Sequence, residues 1–247
     1  MVKDSLSFIE RRVIMPIISQ LTIPKHVGFI MDGNRRFAKT LNAPATTGHR
    51  MGFDSLSSVL LWCFELGVSE VSVYAFSVDN FSRPSQEVDY LMDLAVEKLS
   101  LMCKPESFMM RNQIRVKVCG DISLLPLALR EVISRIEKLT SDHTNGKFNI
   151  MFAYSSKREL THAIEAASNN CKSVTWNGIE SNLYNNTPLD LLVRTSGETR
   201  LSDFMIWQIQ PLRTLIVFEK GLWPRYNLRS LIMSLLRYNA HATLSRN

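Results

Sequence analysis

His26-Val27-Gly28-Phe29-Ile30-Met31-Asp32-Gly33-Asn34-Arg35-Arg36-Phe37 holds both a fold signal and a chemical one. The run from His26 to Asp32 is apolar almost throughout instead of alternating, the pattern of a strand covered on both faces of a parallel sheet. It ends in a carboxylate, a glycine and two arginines. Gly33 lets the backbone approach an anion closely, the amides that follow open a helix whose N-terminus favours negative charge, and the arginines supply bidentate donors. A carboxylate beside such donors makes sense if Mg²⁺ bridges it to a phosphate. Taken alone, the loop reads more plainly as a turn with an Asp cap and surface arginines.

Five further runs share the texture of the first: Glu70 to Ser77, Arg115 to Asp121, Lys147 to Ser155, Leu189 to Ser196 and Arg213 to Glu219. Helical periods lie between them. Phe53, Leu56, Leu60 and Phe64 mark a first connecting helix, and Val88, Leu91, Met92, Ala95 and Leu99 a second. Leu125, Leu129, Ile133, Ile136 and Leu139 mark a third, with Pro126 in its first turn and Ser123 as N-cap. Leu228, Leu231, Ile232, Leu235 and Leu236 form a last stripe. Strands alternating with helices imply right-handed crossovers, so the expected fold is α/β: a single domain with an open, mostly parallel six-stranded sheet flanked by helices.

Asn169 to Thr187, rich in Asn, Ser and Thr, reads as a surface connection with one helical turn. Leu6, Ile9, Val13, Ile17 and Leu21 form an amphipathic helix within residues 1–23, before Pro24, with Lys3, Arg11 and Arg12 off the stripe. Packing on the domain is its plain reading, and a membrane-surface or substrate-entrance role is the alternative. Residues 24–247 are then the main domain.

The chain has 247 residues, net charge +6, 45% hydrophobic and 21% charged residues, which excludes a disordered chain, a collagen-like repeat and a disulfide-stapled mini-protein. No apolar run approaches the roughly 18 residues of a membrane-spanning helix, and the N-terminus lacks a signal peptide's apolar core and cleavage site. The cytosol, or the cytosolic face of a membrane, is the expected location. Cys63, Cys103, Cys119 and Cys171 stand singly, as reduced structural residues do. A pI near 9.2 welcomes acidic partners. Nucleic acid is not the expected one, because the arginines gather at strand ends and no basic stripe carries interleaved aromatics.

Ligands of open α/β sheets bind at the carboxyl ends of the strands. After the second run come Ser77, Asn80, Phe81 and Arg83, with Glu87 placed to pair with Arg83. The fifth runs into Arg194-Thr195-Ser196-Gly197-Glu198-Thr199-Arg200-Leu201-Ser202, a phosphate-sized cradle of charge, hydroxyls and amides. His49 precedes the first connecting helix and reads equally as a phosphate donor or a structural histidine. Three strand ends with one chemistry favour a site for two phosphate-bearing groups. There is no Walker lysine loop and no dinucleotide glycine fingerprint.

HVGFIMDGNRRFAK (residues 26–39), GHRMGF (48–53), EVSVYAFSVDNFSRPSQEVDYLMDL (70–94), LDLLVRTSGETRLSDFMIWQ (189–208) and LWP (222–224) closely resemble the cis-prenyltransferases, the undecaprenyl diphosphate synthase-like family, along nearly the whole chain from about residue 24. Asn34-Arg35-Arg36 and Arg200-Leu201-Ser202-Asp203-Phe204 are similar to the eukaryotic dehydrodolichyl diphosphate synthase branch. The resemblance implies elongation of farnesyl diphosphate by isopentenyl diphosphate with cis double bonds, Mg²⁺ as cofactor, and a product serving dolichol synthesis and protein glycosylation. It also implies that residues 24–247 are the catalytic domain.

By that resemblance Asp32 is the central catalytic residue and holds the metal, and Asn80 matches the position of proton removal. Gly33, Asn34, Arg35 and Arg36 would hold the allylic diphosphate, Phe37 would line its path, and His49 would lie near the diphosphates. Ser77, Phe81 and Arg83 would orient substrate, and Arg194, Arg200 and Ser202 would hold isopentenyl diphosphate. The apolar faces of the second and third connecting helices would line a product tunnel, or else form ordinary core.

The departures are specific. Bacterial members carry a glutamate soon after Trp-Gln, whereas Ile209 to Leu215 contain no carboxylate; Ala45 stands where they often have arginine; and the chain ends without their Arg-x-Gly tail. Such absences resemble eukaryotic catalytic subunits that work with a Nogo-B-receptor-like partner in peripheral contact with the cytosolic face of the endoplasmic reticulum membrane. A non-catalytic partner subunit is the alternative, opposed by the retained Asp32, Asn80, Arg83, Arg194 and Arg200.

Overall fold

Each of the apolar runs forms a strand in the computed structural model, which describes residues 15–18, 20–170, 174–209 and 214–244. The strands are β1 (His26–Ile30), β2 (Glu70–Ser77), β3 (Ile114–Cys119), β4 (Gly146–Tyr154), β5 (Leu191–Arg194) and β6 (Leu215–Phe218). They make one six-stranded sheet in the order β3-β4-β2-β1-β5-β6, with every neighbouring pair parallel. The chain moves to one side of β1 for β2 to β4 and to the other for β5 and β6. The crevice where the order reverses, at the carboxyl ends of β1 and β5, is where a doubly wound sheet binds its ligands.

Eight helices connect or flank the strands: α1 (Asn34–Thr40), α2 (Ala45–Glu65), α3 (Ser85–Met102), α4 (Phe108–Arg111), α5 (Leu127–Leu139), α6 (Ser156–Asn170), α7 (Trp176–Ser181) and α8 (Leu228–Leu244), counted among the described residues. One face of the sheet presents Val27, Phe29, Val71, Val73, Phe148 and Ile150 to a core completed by Leu56 and Leu60 of α2, Met92 and Leu99 of α3, Leu129 and Ile133 of α5, and Leu231 and Leu235 of α8. The other face packs Ile30, Met151, Tyr154 and Leu192 against Phe204 and Met205. At its amino end that second face carries buried His26, Glu70, Ser72 and Asn149, so the strands are not apolar throughout.

Several expectations need correction. Ser123 does not cap the third connecting helix: its hydroxyl bonds Asp121 at 2.5 Å, and α5 begins after Pro126. His49 lies inside α2, which begins at Ala45. Helix α6 had no counterpart in the sequence reading, and Asn169 belongs to it, while α7 is the short helix within the Asn-rich connection. Of the N-terminal stripe, Leu6, Ile9 and Val13 lie outside the described residues; Ile18 is buried, whereas Ile17 is 58% exposed. Thr22 is tied to α8 through the Asn239 side chain at 2.9 Å. Cys63, Cys103 and Cys119 are free and buried, with burial pushing the Cys119 thiol up to about 12, while Cys171 lies outside the described residues.

Candidate active site

The main chain at the end of β1 is fixed before any side chain acts. The Asp32 N–H donates to Thr195 Oγ1 at 3.0 Å, and the Thr195 hydroxyl donates back to the Asp32 carbonyl at 2.7 Å. Trp223 N–H donates to the same carbonyl at 3.0 Å. Gly33 follows with φ +112°, a left-handed value that side chains disfavour, and a Cβ there would stand 3.1 Å from Leu222 Cα. Its carbonyl accepts Phe37 N–H at 2.8 Å, which starts α1. Gly48 and Gly52 are required one turn apart on α2, because a Cβ at either would strike Asn34.

Arg194, only 3% exposed, donates through Nη2 to Asp32 Oδ2 at 3.0 Å and through Nη1 to Ser202 Oγ at 2.7 Å and the Arg200 carbonyl at 2.5 Å. Its buried Nε has no partner among the described residues. Arg36 Nη2 lies 3.3 Å from Asp32 Oδ2, bonds the Ser196 hydroxyl, and through Nη1 reaches Glu198 at 3.3 Å. Burial alone would raise the Asp32 pKa; the Arg194 hydrogen bond, the Arg36 charge and the Ser196 hydroxyl outweigh it and hold the carboxyl below its usual value. Asp32 is therefore a carboxylate at neutral pH.

The loop that supplies Ser196, Arg200 and Ser202 is built from left-handed residues, with positive φ at Ser196, Gly197, Ser202, Asp203 and Met205. Surrounding bonds hold it. The Tyr74 hydroxyl lies 3.2 Å from both the Ser202 and Tyr154 carbonyls, and the Asp203 carbonyl accepts Ser156 N–H at 2.9 Å at the start of α6. Gly197 N–H donates to the Glu219 carbonyl at 2.8 Å.

At the opposite rim, Glu87 in the first turn of α3 gathers Arg83 at 3.1 Å, His49 at 3.4 Å and Arg35 at 3.8 Å. Burial lowers the His49 pKa, Glu87 opposes this, and Arg83 and Arg35 add to it, so the ring is neutral at pH 7. Ser77 and Asn80 form a reciprocal cap on the short helix Val78–Ser82, the Asn80 Oδ1 accepting Ser77 N–H at 3.2 Å. Phe81 packs edge-on to Phe76 at 4.9 Å.

These elements enclose a polar cavity of about 550 Å³ bounded by Asp32, Gly33, Asn34, Arg35, Arg36, Lys39, His49, Arg83, Glu198 and Arg200. An apolar cavity of about 130 Å³ lies between α2, α3 and the sheet, and Met31, Asn34 and His49 line both. Its walls are Phe53 and Leu56 of α2, Leu91, Ala95 and Leu99 of α3, and Val73, Phe148 and Ile150 of the strands. The tunnel expectation is corrected in one respect: α2 takes the part given to the third connecting helix, whose Leu129, Ile133 and Ile136 are core.

Arg194 and Ser202 stand behind Asp32, not on the cavity surface, and Ser77, Asn80 and Phe81 shape the neighbouring turn. Phe37 lines neither cavity: it is 6% exposed, with the Arg225 guanidinium 5.4 Å over its ring. Sequence reading missed Lys39 in the polar cavity, and Trp223 and Lys98 in the apolar one; Lys39, which ends the segment 26–39, and Trp223, in the LWP segment, had a visible signal, and Lys98 had none.

No group of three or more His, Cys, Asp or Glu side chains gathers into a metal cage among the described residues. The Asp32 carboxylate, with its side chain 30% exposed toward the polar cavity, fits a hard divalent cation, which takes one or two carboxylates and fills its shell with water and substrate phosphate oxygens. Glu219 does not join it; it pairs with Arg237 of α8 at 2.9 Å.

Comparison with known proteins identifies the family. A prenyltransferase family model described as "Putative undecaprenyl diphosphate synthase" matches residues 30–244. The chain is 38% identical over 240 residues to the dehydrodolichyl diphosphate synthase complex subunit DHDDS of Homo sapiens, covering 93% of this chain and 72% of that one. It is 35% identical over 234 residues to the dehydrodolichyl diphosphate synthase complex subunit SRT1 of Saccharomyces cerevisiae, covering 91% of this chain and 68% of the relative. Among solved structures it superposes on lavandulyl diphosphate synthase from Lavandula x intermedia, crystallised with dimethylallyl diphosphate, with TM-score 0.81 and 28% identity over 88% of this chain and 95% of that one. The chain belongs to the undecaprenyl diphosphate synthase-like family of cis-prenyltransferases.

Proposed function

We propose that the protein condenses isopentenyl diphosphate onto an allylic diphosphate such as farnesyl diphosphate, building a cis-polyprenyl diphosphate of the kind used for dolichol. The observation that carries this reading is the junction of the two cavities: a cationic cleft around Asp32 opens, through Met31, Asn34 and His49, into an apolar slot between α2 and α3. An amphiphile with a diphosphate head and a prenyl tail has the matching polarity.

In this reading the amides after Gly33 and the guanidinium groups of Arg35 and Arg36 bind the allylic diphosphate, and Asp32 holds Mg²⁺. When bound, Mg²⁺ neutralises diphosphate oxygens as negative charge builds on the leaving group. Arg200, with Arg194 and Ser202 behind it, holds the second diphosphate and aligns the double bond of isopentenyl diphosphate with the allylic carbon. Apart from Asn34, His49 and Lys98, the side chains lining the apolar slot are aliphatic or aromatic, so few nucleophilic groups face the developing cation. Asn80 Oδ1 accepts Ser77 N–H, which holds the turn that carries Phe81 and Arg83 and fixes the amide; with a second lone pair left on that oxygen, Asn80 keeps the proton-removal role.

The human and yeast relatives are both named as subunits of a complex, which supports a heteromeric synthase with a Nogo-B-receptor-like partner. Peripheral contact with the endoplasmic reticulum membrane is the matching location; no helix among the described residues is long and apolar enough to cross a membrane. A scaffold role is disfavoured because the Asp32–Arg194–Arg36 cluster is intact. The test is incorporation of labelled isopentenyl diphosphate onto farnesyl diphosphate with Mg²⁺, by the chain with and without such a partner. Cis-polyprenyl product lost in Asp32→Ala supports the reading, and product unchanged by that substitution overturns it.

A further inference from the structure

The amino end of the sheet carries a second polar site, on the face away from the apolar slot. In register across three strands, Arg115 of β3 lies opposite Lys147 of β4, and Lys147 opposite Glu70 of β2. The next same-face row along the strands places Lys117 opposite Asn149 and Asn149 opposite Ser72. Adjacent strands stand about 4.8 Å apart and same-face neighbours about 6.6 Å, so three cationic side chains rise from one small area. The segment Ser181 to Thr187 forms the facing wall, closing a cavity of about 250 Å³.

The charges do not balance. Glu70 is 5% exposed and already occupied: Asn149 Nδ2 and Asn185 Nδ2 each donate to Oε1 at 2.7 Å, and Lys147 lies 3.7 Å from Oε2. Lys117 turns its ammonium to the Tyr184 carbonyl at 2.6 Å and meets no carboxylate among the described residues. Apart from the backbone ladder of β3, Arg115 has no partner: its side chain makes no hydrogen bond or ion pair among them. Like charges directly opposite on neighbouring strands repel, and nothing in the packing requires both Arg115 and Lys147 there. Two surplus positive charges face a polar cavity.

We propose that this cleft binds a phosphate-class dianion, with Arg115 and Lys117 as its principal ligands and Lys147 shared between the anion and Glu70. A planar guanidinium fork beside an ammonium, over asparagine amides, suits tetrahedral oxyanions. The site lies at the opposite end of the strands from the cradle around Asp32, so it is independent of the catalytic diphosphates.

Titration of the full chain with inorganic phosphate, followed by melting temperature and calorimetry, tests this against the Arg115→Ser/Lys117→Ser variant. The cradle contributes equally to both chains, so their difference isolates the cleft. Each chain is compared with itself in phosphate-free buffer, which removes any effect of losing the Lys117 bond to Tyr184; on adding phosphate, only the wild type should gain the extra stabilisation, and its cleft affinity should exceed the variant's at least tenfold. A parallel arm sediments both chains with phosphatidate and phosphatidylcholine vesicles. Phosphatidate binding lost in the variant assigns a lipid headgroup, and phosphate binding without vesicle binding assigns a soluble phosphate. Superimposable phosphate responses of the two chains would overturn the site.

Discussion

The Arg194 guanidinium touches the Asp32 carboxylate at 3.0 Å although 162 positions separate them in sequence. The contact exists because β1 and β5 are neighbours with Ile30 beside Arg194, which brings together the two loops that leave the sheet at its point of reversal. One guanidinium thereby fixes Asp32, Ser202 and the Arg200 carbonyl at once. A lysine cannot reproduce that fork. Arg194→Lys should lower kcat/KM about 10²- to 10³-fold, the scale of losing one preorganised charge stabiliser, with the fold retained by circular dichroism. Steady-state kinetics with farnesyl and isopentenyl diphosphates checks it.

Gly33 is constrained twice, by φ +112° and by the Leu222 backbone where a Cβ would go. Gly33→Ala should cost about 1–3 kcal/mol in urea denaturation, the scale of a strained backbone residue, and raise KM for the allylic substrate. Leu222→Ala in the same chain should not restore the loss, since it removes the Cδ2 contact but leaves Cα and Cβ of residue 222 at 3.1 Å and the strained φ.

Ala95 lines the apolar slot between α2 and α3. Ala95→Phe should shorten the product by filling that slot while leaving the first condensation intact. Mass analysis of the polyprenyl product reads the shift; an unchanged length distribution would mean that the growing chain runs elsewhere.

His26 is 1% exposed, with Nδ1 facing the Thr187 and Pro188 carbonyls at 3.2 and 3.0 Å and Nε2 facing Ser72 Oγ at 2.7 Å. Burial lowers its pKa from 6.5, more strongly than Glu70 and the carbonyls raise it. A histidine depressed in the folded state adds stability that is complete above its unfolded pKa and is lost as pH falls through the folded one. Burial depresses His49 in the same direction, whereas burial raises Glu159 and gives it the opposite slope. Urea midpoints should therefore drop from pH 7.5 to pH 5.5 more steeply in the wild type than in His26→Asn, whose amide can still donate to Pro188.

Much of the fold was legible because apolar runs and helical spacings are local. All six strands fell where the Val, Ile and Phe runs lie, and α2, α3, α5 and α8 followed their stripes. Helix α6 was missed because its buried residues, including Ala163, Ala167 and Glu159, make a weak apolar stripe. The cradle was legible as chemistry at strand ends, but spacing within one helix does not say which helix is its neighbour. Hence α5 was given the tunnel wall that belongs to α2, and Phe37, next to two phosphate-type arginines, turned out to pack beneath Arg225. The polar rows through Glu70 and Asn149 were hidden in otherwise apolar runs, visible only once the register aligned them.

Diffraction from crystals grown with a non-hydrolysable allylic thiodiphosphate and Mg²⁺ offers the sharpest test. The diphosphate should sit between the Gly33–Arg36 turn and Arg200, with the metal on Asp32 and the prenyl tail between α2 and α3. A head group bound away from Asp32, or a tail outside that slot, would contradict the proposed chemistry.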